Sequence, residues 1–339
     1  MKVIFSKVQR RHDPQTFFSS GAPTPNPEVP ERATRLLQAA QSSGLSAEKP
    51  DDYGRDWIGR VHTPRYLHYF ENIFRRWSYI DGGSPEVVPG IQPGRRDGGY
   101  PASAVGQAGW HHSDTASPIT RDTWDSALWS AHSATHAAFQ VLAGDSACYA
   151  LCRPPGHHAA AEVAGGFCYF NNTAIAAEVL RSAHERVAIL DVDVHHGNGT
   201  QSIFYSRHDV LTLSIHADPL RFYPFFWGYA EECGDSAGLG FNANLPLERG
   251  TGDDDYVAAL NVAIERIQAF EPGALVVALG LDAYLGDPLR GLAITTGGFA
   301  RIGERIGTLR IPTVIVQEGG YLCDALGDNL AAFLDGFEQ

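Results

Sequence analysis

The sequence predicts an α/β fold, in which a mostly parallel sheet carries helices on both faces. From residue 187 onward, short apolar, β-branched runs alternate with stretches of helical periodicity. Polar side chains follow directly after four of the predicted strands. The chain shows no internal repeat, low-complexity tract or clear linker, which favours one domain over residues 1–339. The alternating elements are strands at 187–193, 210–215, 274–280 and 311–317, with helices at 254–270 and 298–309.

The first half of the chain has weaker signals. We expect strands at 1–5 and 147–151, helices at 31–41, 63–77 and 123–142, and a further helix from about Asn172. Four prolines between 21 and 30 indicate a loop. From 78 to 122, glycine and proline are frequent and periodicity is lost. A structureless loop of that length inside a domain is uncommon and is usually functional, so we expect 78–122 to be a functional loop insertion.

Composition excludes several classes of protein. The formal net charge of −13 argues against binding of nucleic acid through its phosphates and is compatible with a cationic substrate. Five cysteines at scattered spacings, without a Cys-x-x-Cys pair, indicate a reducing compartment. No segment approaches the roughly 20 apolar residues of a membrane span. We therefore expect a cytoplasmic protein without nucleic-acid or membrane partners.

The stretch 187–199 carries the clearest chemical signal. Asp191, Asp193 and His195 alternate with valines after an apolar run, and in an extended chain this period places all three on one face. A buried carboxylate is costly unless a cation or hydrogen-bond donors compensate it. The stretch therefore predicts a cation site at the carboxyl end of a strand, where open α/β sheets bind ligands.

Three further polar groups follow predicted strands. His157 and His158 come after 147–151, Asp282 after 274–280, and Tyr321 after 311–317. Each has an ordinary alternative: the histidines are exposed or structural, Asp282 caps a turn, and Tyr321 packs. Asp282 as a third ligand beside Asp193 and His195 suits a catalytic divalent metal such as zinc.

These motifs together resemble the histone deacetylase superfamily, and more narrowly its bacterial acetylpolyamine amidohydrolases. The matching stretches run in the family's order over about residues 25–330. They are Arg-Pro-Pro-Gly-His-His (153–158), Gly-Gly-Phe-Cys-Tyr-Phe-Asn-Asn (165–172), the run 191–201, Gly-Leu-Asp (280–282) and Glu-Gly-Gly-Tyr (318–321). The resemblance implies an arginase-like single α/β domain with a mostly parallel eight-stranded sheet and helices on both faces.

The resemblance also implies roles for site residues. Zinc, with ferrous iron or cobalt as alternatives, would be held by Asp193, His195 and Asp282. His158 would be the general base, His157 its electrostatic partner or a second acid, and Tyr321 the oxyanion donor. Asp191 would bind His157, and Asn198 would orient His158. A structural potassium ion would be held by Asp191, Asp193, His195, Ser214 and Ile215.

The implied substrate is a small, cationic acetylated amine. Phe167 and Tyr223 would wall the tunnel, and the Gly166 carbonyl would accept the amide N–H. The 78–122 loop would form a homodimer and narrow the entrance, with Asp97 or Asp114 binding a distal ammonium. We expect hydrolysis of acetylputrescine, acetylcadaverine or acetylspermidine to acetate and free amine. The alternatives are an acetyl-lysine protein deacetylase, another small-amide hydrolase, and an inactive acetyl-binding module, against which the intact site residues argue.

Overall fold

Eight parallel strands form the central sheet in a computed structural model that describes residues 1–339. The chain has ten strands in all, because β2 and β3 form a separate two-stranded hairpin. They are β1 (Lys2–Ile4), β2 (Thr16–Ser19), β3 (Ala22–Pro25), β4 (Ser46–Glu48), β5 (Ala147–Ala150), β6 (Val187–Asp191), β7 (Val210–Ala217), β8 (Asn242–Leu247), β9 (Ala274–Leu279) and β10 (Thr313–Gln317). The sheet order is β4-β1-β5-β10-β9-β6-β7-β8, and every neighbouring pair is parallel. The predicted α/β class and eight-stranded sheet are confirmed.

Ten α-helices accompany the sheet. They are α1 (Glu31–Ser42), α2 (Ile58–Val61), α3 (Pro64–Trp77), α4 (Ala104–Trp110), α5 (Thr123–Leu142), α6 (Asn172–Arg181), α7 (Asn198–Phe204), α8 (Asp253–Phe270), α9 (Thr296–Gly307) and α10 (Leu326–Phe337). Two short 3-10 turns, at Lys7–Arg11 and Ser236–Gly238, complete the regular structure. None of the helices has both the length and the apolar character needed to cross a bilayer.

The hydrophobic core has two parts, one on each face of the sheet. Alternate strand residues point to opposite faces, so Ala188 and Leu190 of β6 join one cluster while Val187 and Ile189 join the other. Helices α1, α8, α9 and α10 pack on the first face, and α2 to α7 on the second. The strands read as continuous apolar runs because both of their faces are buried.

The sheet order positions the polar clusters. Strands β5, β10, β9 and β6 are consecutive neighbours and all run in the same direction. Their carboxyl ends therefore meet at one edge, and the loops that follow them carry the residues that the sequence singled out. Strand β6 ends at Asp191, so Asp193 and His195 lie in the loop beyond it and not on the strand face that their alternation suggested.

Two loop predictions were wrong in part. The proline-rich stretch 21–30 contains β3, which pairs with β2 as a hairpin. Ser20 and Gly21 have φ angles of 50° and 80°, as a tight two-residue hairpin turn requires. Pro23 and Pro25 are tolerated because a two-stranded ribbon has only edges. The 78–122 segment also contains α4, which the hydroxyl of Ser103 caps. The sequence pattern did not predict the edge strands β4 and β8.

Candidate active site

The predicted polar clusters meet around one cavity of about 400 Å³ at the carboxyl edge of the sheet. The loops after β5, β6 and β10 all reach it. The residues singled out from the sequence that line it are Asp114, His157, His158, Gly166, Phe167, His195, Tyr223 and Tyr321. Sequence reasoning missed another part of the wall, which the β2–β3 hairpin supplies through Phe17 and Phe18.

A buried Asp–His–Asp cluster lies beside this cavity. One possible ligand atom from each of Asp193, His195 and Asp282 lies within 4.8 Å of the others. The His195 Nδ1 atom is 3.1 Å from Asp193 Oδ1 and 3.2 Å from Asp282 Oδ2. Backbone N–H groups of His195 and Gly319 donate to Asp193, and that of Val194 donates to Asp282. Neither carboxylate pairs with a lysine or arginine, and their only cationic partners are imidazoles: His195 contacts both, and His157 Nε2 lies 3.9 Å from Asp193 Oδ1.

The same cluster has the features of a metal site. The Oδ2 atom of Asp282 is buried without a hydrogen-bond partner. A Cβ added at Gly319 would lie 2.1 Å from Asp282 Oδ2 and 2.5 Å from Asp193 Oδ2, so only glycine leaves this position open. Buried carboxylates with a free oxygen are compensated by a cation. Two carboxylates and an imidazole are donors that divalent transition metals accept, and the residues therefore fit a metal ion.

The two adjacent histidines have different partners. His157 Nδ1 lies 2.9 Å from Asp191 Oδ2, and His158 Nδ1 lies 2.7 Å from Asn198 Oδ1. Burial by itself lowers the pKa of His157, but the carboxylates of Asp191 and Asp193 outweigh it and raise the pKa to about 10. Burial and the neighbouring His157 and His195 lower the pKa of His158 well below its ordinary value. The pKa values of the two adjacent imidazoles are therefore shifted in opposite directions by their different partners.

Tyr321 is held at the cavity by a glycine turn and a buried arginine. Gly320 has a φ of 105°, a conformation that favours glycine. Arg32 donates to the carbonyls of Glu318 and Gly320 at 2.7 and 2.6 Å, and its guanidinium lies 4.8 Å from the Tyr321 ring centre. The Tyr321 N–H donates to Asp287 Oδ2 at 2.9 Å. Burial raises the pKa of the Tyr321 phenol well above its ordinary value, so the hydroxyl stays protonated and can donate.

Glu318 joins the loops that carry Tyr321 and His157. Its carboxylate accepts the N–H groups of Gly156 and His157 at 2.6 and 3.0 Å and the hydroxyl of Thr173 at 2.7 Å. Burial raises the pKa of Glu318 to about 7, although these donors favour its charged form. Sequence reasoning gave Glu318 no role. Its position as an acidic residue directly after a buried strand could have marked it as a candidate site residue.

Aromatic side chains form two opposed walls of the cavity. On one wall, the Phe167 ring contacts Tyr321 at 5.8 Å and Phe17 at 5.4 Å between ring centres. On the other wall, Tyr223 packs edge-on against His158 at 4.9 Å and lies 6.0 Å from His195. The predicted wall residues Phe167 and Tyr223 thus both line the cavity.

The two predicted entrance acids lie in different places. Asp114 lines the cavity, whereas Asp97 is exposed on the surface, 2.9 Å from Arg95, and is not among the lining residues. Of the five predicted potassium ligands, His195 lines the cavity, whereas Asp191 and Ser214 lie next to a separate, smaller void. A void of about 10 Å³, the size of one water molecule, is lined by Asp191 and Ser214 among others. Ser214 is the residue of β7 that pairs with Asp191 of β6.

Comparison with known proteins identifies the family. The histone deacetylase domain model matches residues 26–337. The chain is 46% identical over 338 residues to an acetylpolyamine amidohydrolase of Burkholderia pseudomallei, covering 99% of this chain and 98% of that protein. It is 43% identical over 343 residues to acetylpolyamine amidohydrolase 1 of Pseudomonas aeruginosa, covering 100% and 99%. A crystal structure of acetylpolyamine aminohydrolase from Burkholderia pseudomallei superposes with a TM-score of 0.97 at 46% identity, covering 99% of this chain and 98% of that one.

Matches of this extent establish more than a shared fold. The family is hydrolytic and generally metal-dependent, and a buried group of metal-binding side chains is present at the expected edge of the sheet. The resemblance drawn from the motifs is therefore confirmed. The chain is an amidohydrolase that belongs to the histone deacetylase family.

Proposed function

We propose that this protein is a zinc-dependent deacetylase that hydrolyses the acetamide of acetylated polyamines to acetate and the free amine. The observation that carries the proposal is the buried Asp193–His195–Asp282 cluster beside a cavity lined by aromatic side chains. Relatives that are 43 to 46% identical over their full length are named acetylpolyamine amidohydrolases, which supports the same substrate class here.

Zinc is the metal we propose for this cluster, held by Asp193, His195 and Asp282. Ferrous iron or cobalt accepts the same oxygen and nitrogen donors. A divalent metal bound there would polarise the amide carbonyl and make water acidic enough to attack it near neutral pH.

The protein's own residues would move the protons. His158 is neutral and has its Nδ1 atom tied to Asn198, which leaves Nε2 to accept a proton from the attacking water. The C–N bond then breaks, and the same imidazole returns the proton to the leaving amine. His157, paired with Asp191, would stay cationic and stabilise the negative charge that develops nearby, or share the acid role.

Tyr321 and Gly166 would hold the reacting amide. The buried, protonated Tyr321 hydroxyl would donate to the oxyanion as the carbonyl carbon becomes tetrahedral. The Gly166 carbonyl would accept the amide N–H and fix the plane of the substrate. Phe167 and Tyr223 would enclose its methylene chain, since both rings line the cavity.

We also propose a structural potassium ion beside the active site, with ligands from Asp191, Asp193, His195, Ser214 and Ile215. The small void that Asp191 and Ser214 help to line supports a site next to these two of the five ligands, and a monovalent cation there would offset part of the buried negative charge.

The cavity favours slender, cationic substrates. Asp114 is the only carboxylate among the lining residues, and we propose that its charge attracts a distal ammonium group. Phe18 and Phe225, which are 44% and 48% exposed, add aromatic faces that attract cations at the rim.

The substrate class is tested with three amides on the zinc-loaded enzyme. We expect acetylputrescine to be hydrolysed with a kcat/KM at least about tenfold above that of N-pentylacetamide, its uncharged isostere, because a pairing worth about 1.4 kcal/mol gives that ratio. We expect an acetyl-lysine peptide to be slower still. Faster turnover of the peptide would indicate a protein deacetylase, and no turnover of any amide would indicate a binding module.

The role of Tyr321 is tested by Tyr321→Phe. Loss of one oxyanion donor should lower kcat by about 10² to 10³ while KM changes little. Tyr66→Phe is the matched control, because it removes a buried hydroxyl that donates to the Tyr169 carbonyl outside the cavity. A near-normal kcat for Tyr321→Phe would remove this role from the mechanism.

We propose that the protein is a cytoplasmic homodimer. All five cysteines are unpaired and three are buried, as is usual in a reducing compartment. The 78–122 segment exposes large apolar side chains that a second copy would cover, namely Tyr79, Ile91, Tyr100 and Val105.

Sedimentation velocity at micromolar concentration tests the dimer. We expect twice the monomer mass for the wild type and a shift toward monomer for Ile91→Glu, which places a charge on the apolar surface. Val262→Glu, a comparable change on the exposed face of α8, is the control and should stay dimeric. A monomeric wild type would refute the dimer.

A further inference from the structure

The Asp114 carboxylate is fully engaged with the protein. Its Oδ2 atom accepts the Tyr223 hydroxyl at 2.6 Å, the Gly166 N–H at 3.1 Å and the Ser113 hydroxyl at 3.3 Å. Its Oδ1 atom accepts the Ala116 N–H at 2.8 Å. A carboxylate with this many donors is fixed in one orientation, so Asp114 acts on its neighbours before any substrate arrives.

Gly166 and Phe167 form a tight turn that needs support. Gly165 and Cys168 exchange backbone hydrogen bonds in both directions across the turn. The φ angles of Gly166 and Phe167 are 54° and 68°, and such a pair of left-handed residues is ordinarily Asn-Gly or Gly-Gly. For a phenylalanine this conformation costs about 1 kcal/mol. The bond from Gly166 N–H to Asp114 holds the turn in the form that presents Phe167 to the cavity.

Tyr223 is bound to the same oxygen from the opposite wall. Its hydroxyl is its only feature that a phenylalanine lacks, and that hydroxyl donates to Asp114. Burial and the neighbouring carboxylate raise the pKa of the Tyr223 phenol well above its ordinary value, so the group remains a donor. Asp114 thus contacts the backbone under one aromatic wall and the side chain of the other.

The segment that carries Asp114 is itself fixed to the Phe167 loop. The backbone of Ser113 donates to the Ala164 carbonyl, and that of Ala164 donates to the His111 carbonyl, at 2.8 Å each. A Cβ at Gly165 would lie 1.9 Å from Ser113 Oγ, so the two chains approach as closely as glycine permits. Residues 111–116 and 164–166 are therefore one packed unit at the cavity wall.

We propose that Asp114 is a positioning residue that joins the two walls of the cavity, through Gly166 and Tyr223, and sets the width available to the substrate. The inference rests on the proposed amide hydrolysis and extends it. It makes the 78–122 segment a determinant of substrate shape through hydrogen bonds, in addition to any attraction of charge.

Two substitutions separate positioning from charge. Tyr223→Phe keeps the ring and removes the link, and Asp114→Asn keeps the shape but has one oxygen in place of two acceptors. We expect each to raise KM about five- to tenfold for acetylputrescine and for N-pentylacetamide alike, with kcat within about twofold. Because the Tyr223 hydroxyl acts only through its bond to Asp114, the double variant should be no worse than Asp114→Asn alone.

Ser113→Ala is the matched control. It removes the longest of the four bonds to Asp114 and a 3.3 Å bond to the Ala164 carbonyl but keeps the bonds from Gly166 and Tyr223, so it should behave as wild type. An effect of Asp114→Asn confined to acetylputrescine, with N-pentylacetamide unaffected, would overturn the inference and leave Asp114 as a charge only. Hydrogen exchange gives a readout that does not need activity. The peptide containing Gly166 should exchange faster in Asp114→Asn than in Ser113→Ala, and equal rates would also overturn the inference.

If the wild type hydrolyses neither amide, the proposed function fails, and the exchange rates alone then decide whether the walls are joined.

Discussion

The buried negative charge at the carboxyl edge of the sheet is the constraint on which the site depends. Asp191, Asp193 and Asp282 are each at most 2% exposed, and none pairs with a lysine or arginine. Each such charge costs several kcal/mol unless it is compensated. Backbone N–H groups and the imidazoles of His157 and His195 offset part of the cost. A divalent cation at the Asp193–His195–Asp282 cluster would supply the remainder, so the proposed chemistry and the stability of this edge would have one origin.

A second layer of buried charge holds the loops that carry the reacting groups. The Glu28 carboxylate accepts a hydrogen bond from Arg32 at 2.6 Å and forms an ion pair with Arg153 at 2.9 Å, and all three residues are at most 1% exposed. Arg32 continues to the carbonyls beside Tyr321, while Glu318 fixes the backbone before His157. Hydrogen bonds to charged groups are the stronger ones and hold geometry closely. The loops that carry Tyr321 and His157 are thus held by buried charged groups that do not line the cavity.

The fold class and most of the candidate site could be predicted from the sequence because both depend on patterns among residues that are close together in the chain. Continuous apolar runs mark strands buried on both faces, and Asp193, His195, Asp282 and Tyr321 each follow such a run. The sequence pattern did not predict the β2–β3 hairpin, because a ribbon made only of edges tolerates the prolines that normally argue against a strand. Three hydrogen bonds also could not be predicted from the sequence, because each joins residues far apart in the chain. They are the bonds of Arg32 to the Gly320 carbonyl, of the His157 N–H to Glu318, and of Tyr223 to Asp114.

The metal content of the purified protein tests the central claim most directly. After zinc loading and gel filtration, elemental analysis should find about one zinc per chain in the wild type and far less in Asp282→Asn, which replaces a charged carboxylate ligand by a neutral, weaker amide of the same shape. Asp209→Asn, which alters a half-buried carboxylate paired with Arg181 and Arg207, should retain the wild-type zinc content. A wild type without zinc, or an Asp282→Asn variant that retains it fully, would contradict the account.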